Sequence, residues 1–407
     1  MYITGDKIKE RLAALMTLMV LAGCSTDEAD EPANVVDSPI EVMSCVADLD
    51  EALTVEEAKG NGGSDGNVTR AWTPPAKFSL PDEDKSIGIV FAKNGMDDLT
   101  EAAKKKLQGF FFKSSGNWRT TVEIDDAGDY FLYGYTPYTA GVEYSISKPT
   151  GEGKDYADGA VMTLDKLPTV TASDLCVVVG AKNGKDNYSA VADYSVTGLR
   201  RGDFAYTANK TSGEGSGGNY VYLLFDHLYS CLSIKMKVNG TYNDLRTIKV
   251  KSITLKTVDK TDTKPEGTDE KKWTKATVTL NKTASGNDDP IASVVFDSTN
   301  KGGYGTVFTS KDGQELTTSD QTFTSYFMPQ GVTSLVLTTK YDVYDKAATP
   351  NLIRANCEAT NTLNLGELID RFEATLRGTR YTINLTIQPT YIYMMSEPDV
   401  EFKLSLN

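Results

Sequence analysis

The chain holds one histidine, His227, in 407 residues, and that count limits its chemistry before any fold is considered. A Ser-His-Asp relay would have to use His227, which sits inside the apolar run VYLLFDHLYSCLSIKMKV (221–238). There a histidine reads as a satisfied structural residue rather than a base. One histidine excludes a His-rich metal site. Cys45, Cys176, Cys231 and Cys357 have no CxxC spacing for a Cys/His zinc cluster. Two carboxylates can act as acid and base, but 56 acidic residues single out no pair. The Gly-rich SGEGSGG (212–218) lacks the Lys-Ser/Thr that would hold a phosphate and a metal, and reads as a linker. The expectation is no catalytic residue, no metal ligand and no cofactor: a protein that is not an enzyme.

One cysteine stands in a different context. Lys7, Lys9 and Arg11 precede the apolar run Leu12–Leu21, which then closes on Leu21-Ala22-Gly23-Cys24. Ten residues are too few to span a bilayer, which takes about 20, and the pattern fits a secretory signal. The closing four residues resemble the lipobox of bacterial lipoproteins, in which the signal is cut before the cysteine and the thiol carries a lipid. Residues 1–23 are therefore expected to be a signal peptide and Cys24 the lipidation site. Asp27, Glu28, Asp30 and Glu31 follow at once. They resemble the acidic export signal that places lipoproteins on the outer face of the outer membrane.

From Cys24 onward the chain keeps 384 residues, enough for two or three domains. Its formal net charge of -14 and the lack of a basic stripe make nucleic acid an unsuitable partner. Cys176, Cys231 and Cys357 lie in apolar runs and read as buried free thiols, with a disulfide among them left open. Residues 24–70 form an acidic, then Gly/Asn-rich leader with one strand, IEVMSCV (40–46), whose Ile40, Val42 and Val46 share a face. Arg70-Ala71 lies between GNGGSDGN and a Pro pair, where a protease has access.

From Trp72 onward, short strands alternate with Gly/Asn/Asp turns, from SIGIVF (86–91) through WRTTVEI (118–124) to YTINLTI (381–387) and VEFKLSL (400–406). Such repetition of half-buried strands argues for β-sandwiches. Helix is expected only at LTEAAKKKLQG (99–109) and within GELIDRFEATLRG (366–378). The fold expectation is all-β, with two Greek-key sandwich domains of transthyretin-like or Ig-like type in tandem. One covers 71–218 and the other 219–407.

Lipobox, acidic leader, Arg-Ala junction and two sandwiches together resemble the fimbrillins, lipoprotein-precursor pilins of Gram-negative anaerobes. FLYGYTPY is similar to their aromatic strand ending in Tyr-x-Pro-Tyr. FDHLYSCLSIKMKV (225–238), followed by RTIKVKSITLK as its pairing strand, resembles their Phe-x-His strand, and GTRYTINLTIQPT (378–390) their late Gly-x-x-Tyr strand. The resemblance implies a fimbrial subunit, tied to the outer membrane through lipid on its precursor and partnered by other pilin subunits. A protease would cut between Arg70 and Ala71 and remove the leader strand. A neighbour's C-terminal strand would replace it, and Val400, Phe402, Leu404 and Leu406 of VEFKLSLN are the donor candidates, the other reading being the last strand of its own domain. Host or bacterial surface ligands are the expected adhesion partners.

A surface glycan-binding lipoprotein or a pilus anchor or tip adhesin is the alternative, separated from a stalk subunit by whether the lipid-linked leader is kept. Arg201-Gly202-Asp203 spells an RGD tripeptide in a connector, where Gly-Asp turns are frequent. Asp297-Ser298-Thr299 has the form of an O-glycosylation acceptor.

Overall fold

The computed structural model describes residues 36–51, 86–96, 106–139, 141–183, 198–210, 218–259, 272–297, 302–329, 331–347, 349–368, 375–389 and 400–404. The chain runs β1 (Val36–Val46), β2 (Asp50–Glu51), β3 (Ile87–Ala92), β4 (Gln108–Ser114), β5 (Asn117–Thr120), β6 (Gly128–Thr136) and β7 (Glu143–Ser147). It continues with β8 (Gly159–Pro168), β9 (Val170–Thr171), β10 (Cys176–Asn183), β11 (Ala205–Ala208), β12 (Asn219–His227), β13 (Ser230–Val238) and β14 (Arg246–Asp259). Then follow β15 (Trp273–Asn281), β16 (Ile291–Phe296), β17 (Tyr304–Leu316), β18 (Gln321–Phe327) and β19 (Val332–Asp345). β20 (Leu352–Asn364), β21 (Thr379–Pro389) and β22 (Val400–Leu404) complete it. Among the described residues, two four-residue helices, α1 (Gly240–Asn243) and α2 (Leu365–Leu368), and a 3-10 turn at Tyr156–Asp158 interrupt the strands. The fold is all-β and built from several packed sheets.

The first sheet has the order β10-β12-β1-β5-β4-β3-β6-β11, and β10 also pairs with β6. It therefore closes on itself through β12, β1, β5, β4, β3, β6 and β10. Inside the ring lie Val42, Ile89, Phe91, Phe111, Leu132, Val178, Leu223 and Phe225. Its outer face presents Met43, Cys45, Tyr133, Val177 and Leu224 to a four-stranded sheet of order β16-β15-β8-β7, which supplies Met162, Leu164, Val278 and Phe296. A second sandwich sets β2-β21-β13-β18-β9 against β17-β14-β19-β20 around Leu232, Ile234, Ile253, Leu255, Leu337 and Ile383.

This layout explains why β3, β10 and β12 read as unbroken apolar runs. Strands covered on both faces carry hydrophobic residues at successive positions, whereas those with one solvated face alternate. All six residues of β3 are buried, while β15 alternates from Trp273 to Asn281.

Several sequence expectations are corrected. The run 221–238 is not one strand: it breaks at Leu228-Tyr229, sending β12 to the first sheet and β13 to the second sandwich. A domain boundary at Gly218 would cut β12 away from its sheet, and β15 and β16, at 273–296, also pack on the first body. β14 pairs with β17 and β19, not with β13. WRTTVEI is strand only to Thr120, and of the expected 99–109 helix residues 106 and 107 are helical while 108 and 109 begin strand β4. Residues 99–105 of that helix lie outside the described residues, as do 211–217. The short helix within 366–378 is present as the end of α2.

The leader strand is the least expected element. β1 runs parallel to β12 over Ile40–Val46, and antiparallel to β5 at only Val36↔Thr120 and Ile40↔Trp118. Val42, Met43, Ser44 and Cys45 are all buried, whereas Val46 is exposed, so the buried set is not the single face expected from sequence. Met43 is 1% exposed and fills the space between ring and outer sheet. Met43→Ala in the full chain is expected to lower unfolding free energy by about 2–5 kcal/mol, read from urea denaturation.

Candidate functional site

The site is the slot that holds the leader, together with the polar cluster where the chain crosses from one sandwich to the other. After β1 the leader keeps its course along β12: Ala47 N–H donates to Phe225 O at 3.0 Å. It then reaches the second sandwich, where β2 runs parallel to the start of β21. Asp50 N–H donates to Gly378 O at 2.9 Å, and Gly378 N–H donates to Tyr229 O at 2.8 Å. Gly378 has φ +66°, the left-handed conformation in which a side chain is strained. Arg380 Nη1 meets Glu51 Oε1 at 2.5 Å. The leader is thus held at both bodies.

At the crossing sits His227. Its Nε2 lies 2.6 Å from Ala47 O, and its Nδ1 lies 2.7 Å from Asp174 Oδ2 and 3.6 Å from Cys176 Sγ. Cys176 and His227 are direct cross-strand partners on β10 and β12. Burial draws the imidazole pKa down, but the hydrogen bond and charge of Asp174, the charge of Asp226 and the bond to Ala47 carry it above its ordinary value. The structural role expected for His227 is thus a specific one, for its ring binds the leader backbone. Cys45 in β1 is also buried, and burial pushes its thiol up to about 12.

Beside His227 lies a buried ion network. Asp226 Oδ2 accepts from Arg201 Nη2 at 2.6 Å and from Arg377 Nη1 at 3.3 Å. Asp289 bonds both guanidiniums, with Arg201 Nη2 at 3.1 Å from its Oδ1. Arg377 Nη1 also donates to His227 O at 3.3 Å. Asp226 is 0% and Arg201 3% exposed. This settles the RGD tripeptide in the folded chain: its arginine is buried and held by two carboxylates. Gly202 sits at φ +78°, where a side chain would also collide with Thr283. A receptor loop needs the opposite.

Sequence reasoning missed Asp174, Asp226, Asp289 and Arg377, because nothing in their spacing distinguishes them from other charged residues. Of the expected site residues, Cys24, Arg70, Ala71 and Leu406 lie outside the described residues, as do Ser298 and Thr299. Val400, Phe402 and Leu404 lie in β22, whose backbone pairs antiparallel with β21 of its own second sandwich, Leu404 opposite Leu385 and Phe402 opposite Ile387. Cys45, Cys176, Cys231 and Cys357 are buried thiols, none of them in a disulfide among the described residues.

A separate cavity of about 580 Å³ opens beside Pro137, Leu167, Pro168, Leu175 and the 60%-exposed Trp273. Its described lining has Lys166, Thr139, Thr171 and Ser173 as polar side chains, but no carboxylate or amide to fork onto sugar hydroxyls.

No family model matches the chain, and no curated protein matches it. Among solved structures, it is similar to a fimbrial protein from Bacteroides vulgatus, with 14% identity, 78% of this chain and 92% of that chain covered, and a TM-score of 0.30. A candidate cell adhesion protein from Bacteroides fragilis is 10% identical over 89% of this chain and 97% of its own, with a TM-score of 0.35. The fimbrial anchor protein Mfa2 from Porphyromonas gingivalis is 10% identical over 89% and 95%, with a TM-score of 0.23. Likenesses this distant carry no functional argument, and the reading below rests on the chain's own residues.

Breaking a buried ion pair by removing one partner strands the other charge. Arg201→Met is therefore expected to destabilise the chain by about 3–5 kcal/mol, with a matching fall in the thermal midpoint. An exposed, ligand-binding arginine would leave the melt unchanged.

Proposed function

We propose that this chain is a structural subunit of a surface fimbria, exported as a lipoprotein on Cys24, cut between Arg70 and Ala71, and polymerised by strand exchange to support adhesion. One observation carries the reading. A strand from the N-terminal leader fills an interior position of the first sheet, with buried side chains on both its faces. A cut at Arg70 frees that strand covalently from everything after it. Its departure would leave β12 and β5 with unpaired backbone and two lines of apolar pockets, the template that another chain's strand completes. The partners are other pilin subunits, and the outer membrane while the lipid-bearing leader stays attached.

The slot also sets a condition on the replacing strand. Four successive residues, Val42 to Cys45, are buried, so a strictly alternating apolar/charged strand brings a charge into it. In VEFKLSLN the stretch that meets the condition best is Leu404-Ser405-Leu406, which matches Met43-Ser44-Cys45 in apolar-Ser-apolar order. Phe402 and Val400 then lie towards the end of the groove, and Lys403 falls at the place of Val42, the one position where this match brings a charge into the slot. Fully burying such an apolar side chain stabilises by about 1.5–3 kcal/mol, against about 1–2 kcal/mol of backbone ordering per residue. The margin is narrow, so each pocket matters. Before exchange, the same segment is held on β21.

Purified fibres are expected to begin at Ala71 on N-terminal sequencing and to carry no fatty-acid label. Polymer that keeps a blocked, lipidated Cys24 would assign the chain to an anchor or a glycan-binding lipoprotein instead. Leu406→Asp is expected to abolish the ladder of polymers on a denaturing gel while the unpolymerised protein keeps its melting temperature. Normal polymerisation of that variant would remove the donor role from VEFKLSLN.

A further inference from the structure

We infer that Asp174, Cys176 and His227 form a three-ligand binding site for a divalent transition-metal ion of the zinc class. In sequence the three are invisible as a site, because Cys176 and His227 are 51 residues apart. The antiparallel register of β10 and β12 makes them direct partners, so both side chains leave the same face of the sheet. One donor atom from each of the three residues lies within 4.8 Å of the others.

The distances suit an ion. A tetrahedral centre with bonds of about 2.05 Å to nitrogen and about 2.3 Å to sulfur separates those two ligands by about 3.6 Å. Nδ1 and Sγ are 3.6 Å apart. The Asp174 oxygen, 2.7 Å from Nδ1, would need to move out to about 3.3 Å to take its own corner. Thiolate, imidazole and carboxylate together are a donor set for zinc or cobalt(II) rather than for calcium or magnesium, which take oxygen ligands.

The surroundings are those of a supported ligand set. A metal-bound histidine gives its other ring N–H to a carbonyl or carboxylate, which fixes the tautomer. His227 pairs through Nε2 with Ala47 O at 2.6 Å, and a metal ion would take the place of the Nδ1 proton that faces Asp174 and Cys176. The neighbouring carboxylate, Asp226, is already matched by two guanidiniums, leaving Asp174 as the carboxylate that faces the ring. Asp174 Oδ1 is buried with no hydrogen-bond partner among the described residues. His227 is 3% and Cys176 2% exposed, while the Asp174 side chain is 21% exposed and marks the access side. Three protein ligands leave a fourth corner for water.

The test is a titration of the full chain, thiols kept reduced by a phosphine, with Co²⁺ as the probe and Zn²⁺ as competitor. The expected result is saturable uptake of one ion per chain, with a thiolate-to-cobalt charge-transfer band and the visible absorption of a tetrahedral ion, both bleached by Zn²⁺. Cys176→Ala should lose the charge-transfer band, and Asp174→Asn should weaken binding. Asp174 is partly exposed, so its variant tests the site even if Cys176→Ala fails to fold, which a far-ultraviolet spectrum and a melt will show. Absence of saturable uptake at micromolar ion overturns the inference. So does uptake without the thiolate band, or uptake unchanged in Asp174→Asn.

Discussion

The structure depends on a constraint of the β ladder: a strand edge buried inside a protein must be paired, because each unsatisfied backbone N–H or C=O there costs as much as a lost hydrogen bond. The first sheet meets this constraint by closing into a ring, and β1 is the strand that closes it between β12 and β5. Its two sides are unequal, with continuous pairing on β12 and two separated pairs on β5. Held mainly along one edge, β1 is the strand whose loss would open the ring between β12 and β5, while the loss of β2 would bare the edge of β21 in the second sandwich. The proposed strand exchange would act at this position.

The polar cluster at the crossing works in the same direction. Leader backbone is gripped by His227 at Ala47 and by Gly378 at Asp50, and Glu51 pairs with Arg380. Each contact comes from the turn between β12 and β13 or from the start of β21, where the two sandwiches meet. Buried charges are costly unless paired, and the Arg201–Asp226–Arg377–Asp289 network satisfies this by placing two guanidiniums against two carboxylates. The turn is thus tied to the Arg201 loop, to the β16 side of the first body and to the approach to β21.

Much of this architecture was legible. Alternation in RTIKVKSITLKT, KATVTL, LVLTTKY and YTINLTI marks strands with one wet face, and each lies in a strand of the structure. What periodicity could not resolve was the partner of each strand. VYLLFDHLYSCLSIKMKV has no Gly or Pro to show a break, so the turn at Leu228-Tyr229 leaves no local mark. β12 and the start of β13 are buried at successive positions, which removes the alternation that would separate them, and alternation returns only from Ile234 to Val238. The same effect hid the second buried face of β1, where Met43 and Cys45 pack outward while Val42 points into the ring.

By itself, the sequence determined the all-β class, the exclusion of a His-rich site and the turn-rich rhythm of the strands. These follow from composition and from short-range patterns, which reflect how each segment meets water. Only the tertiary structure decided that the leader strand sits inside a sheet, that the arginine of RGD is buried, and that Asp174, Cys176 and His227 share one place. Those facts depend on which strands are neighbours. Neighbour choice is a long-range matter of register and closure, set by contacts between residues as far apart as Ala47 and His227.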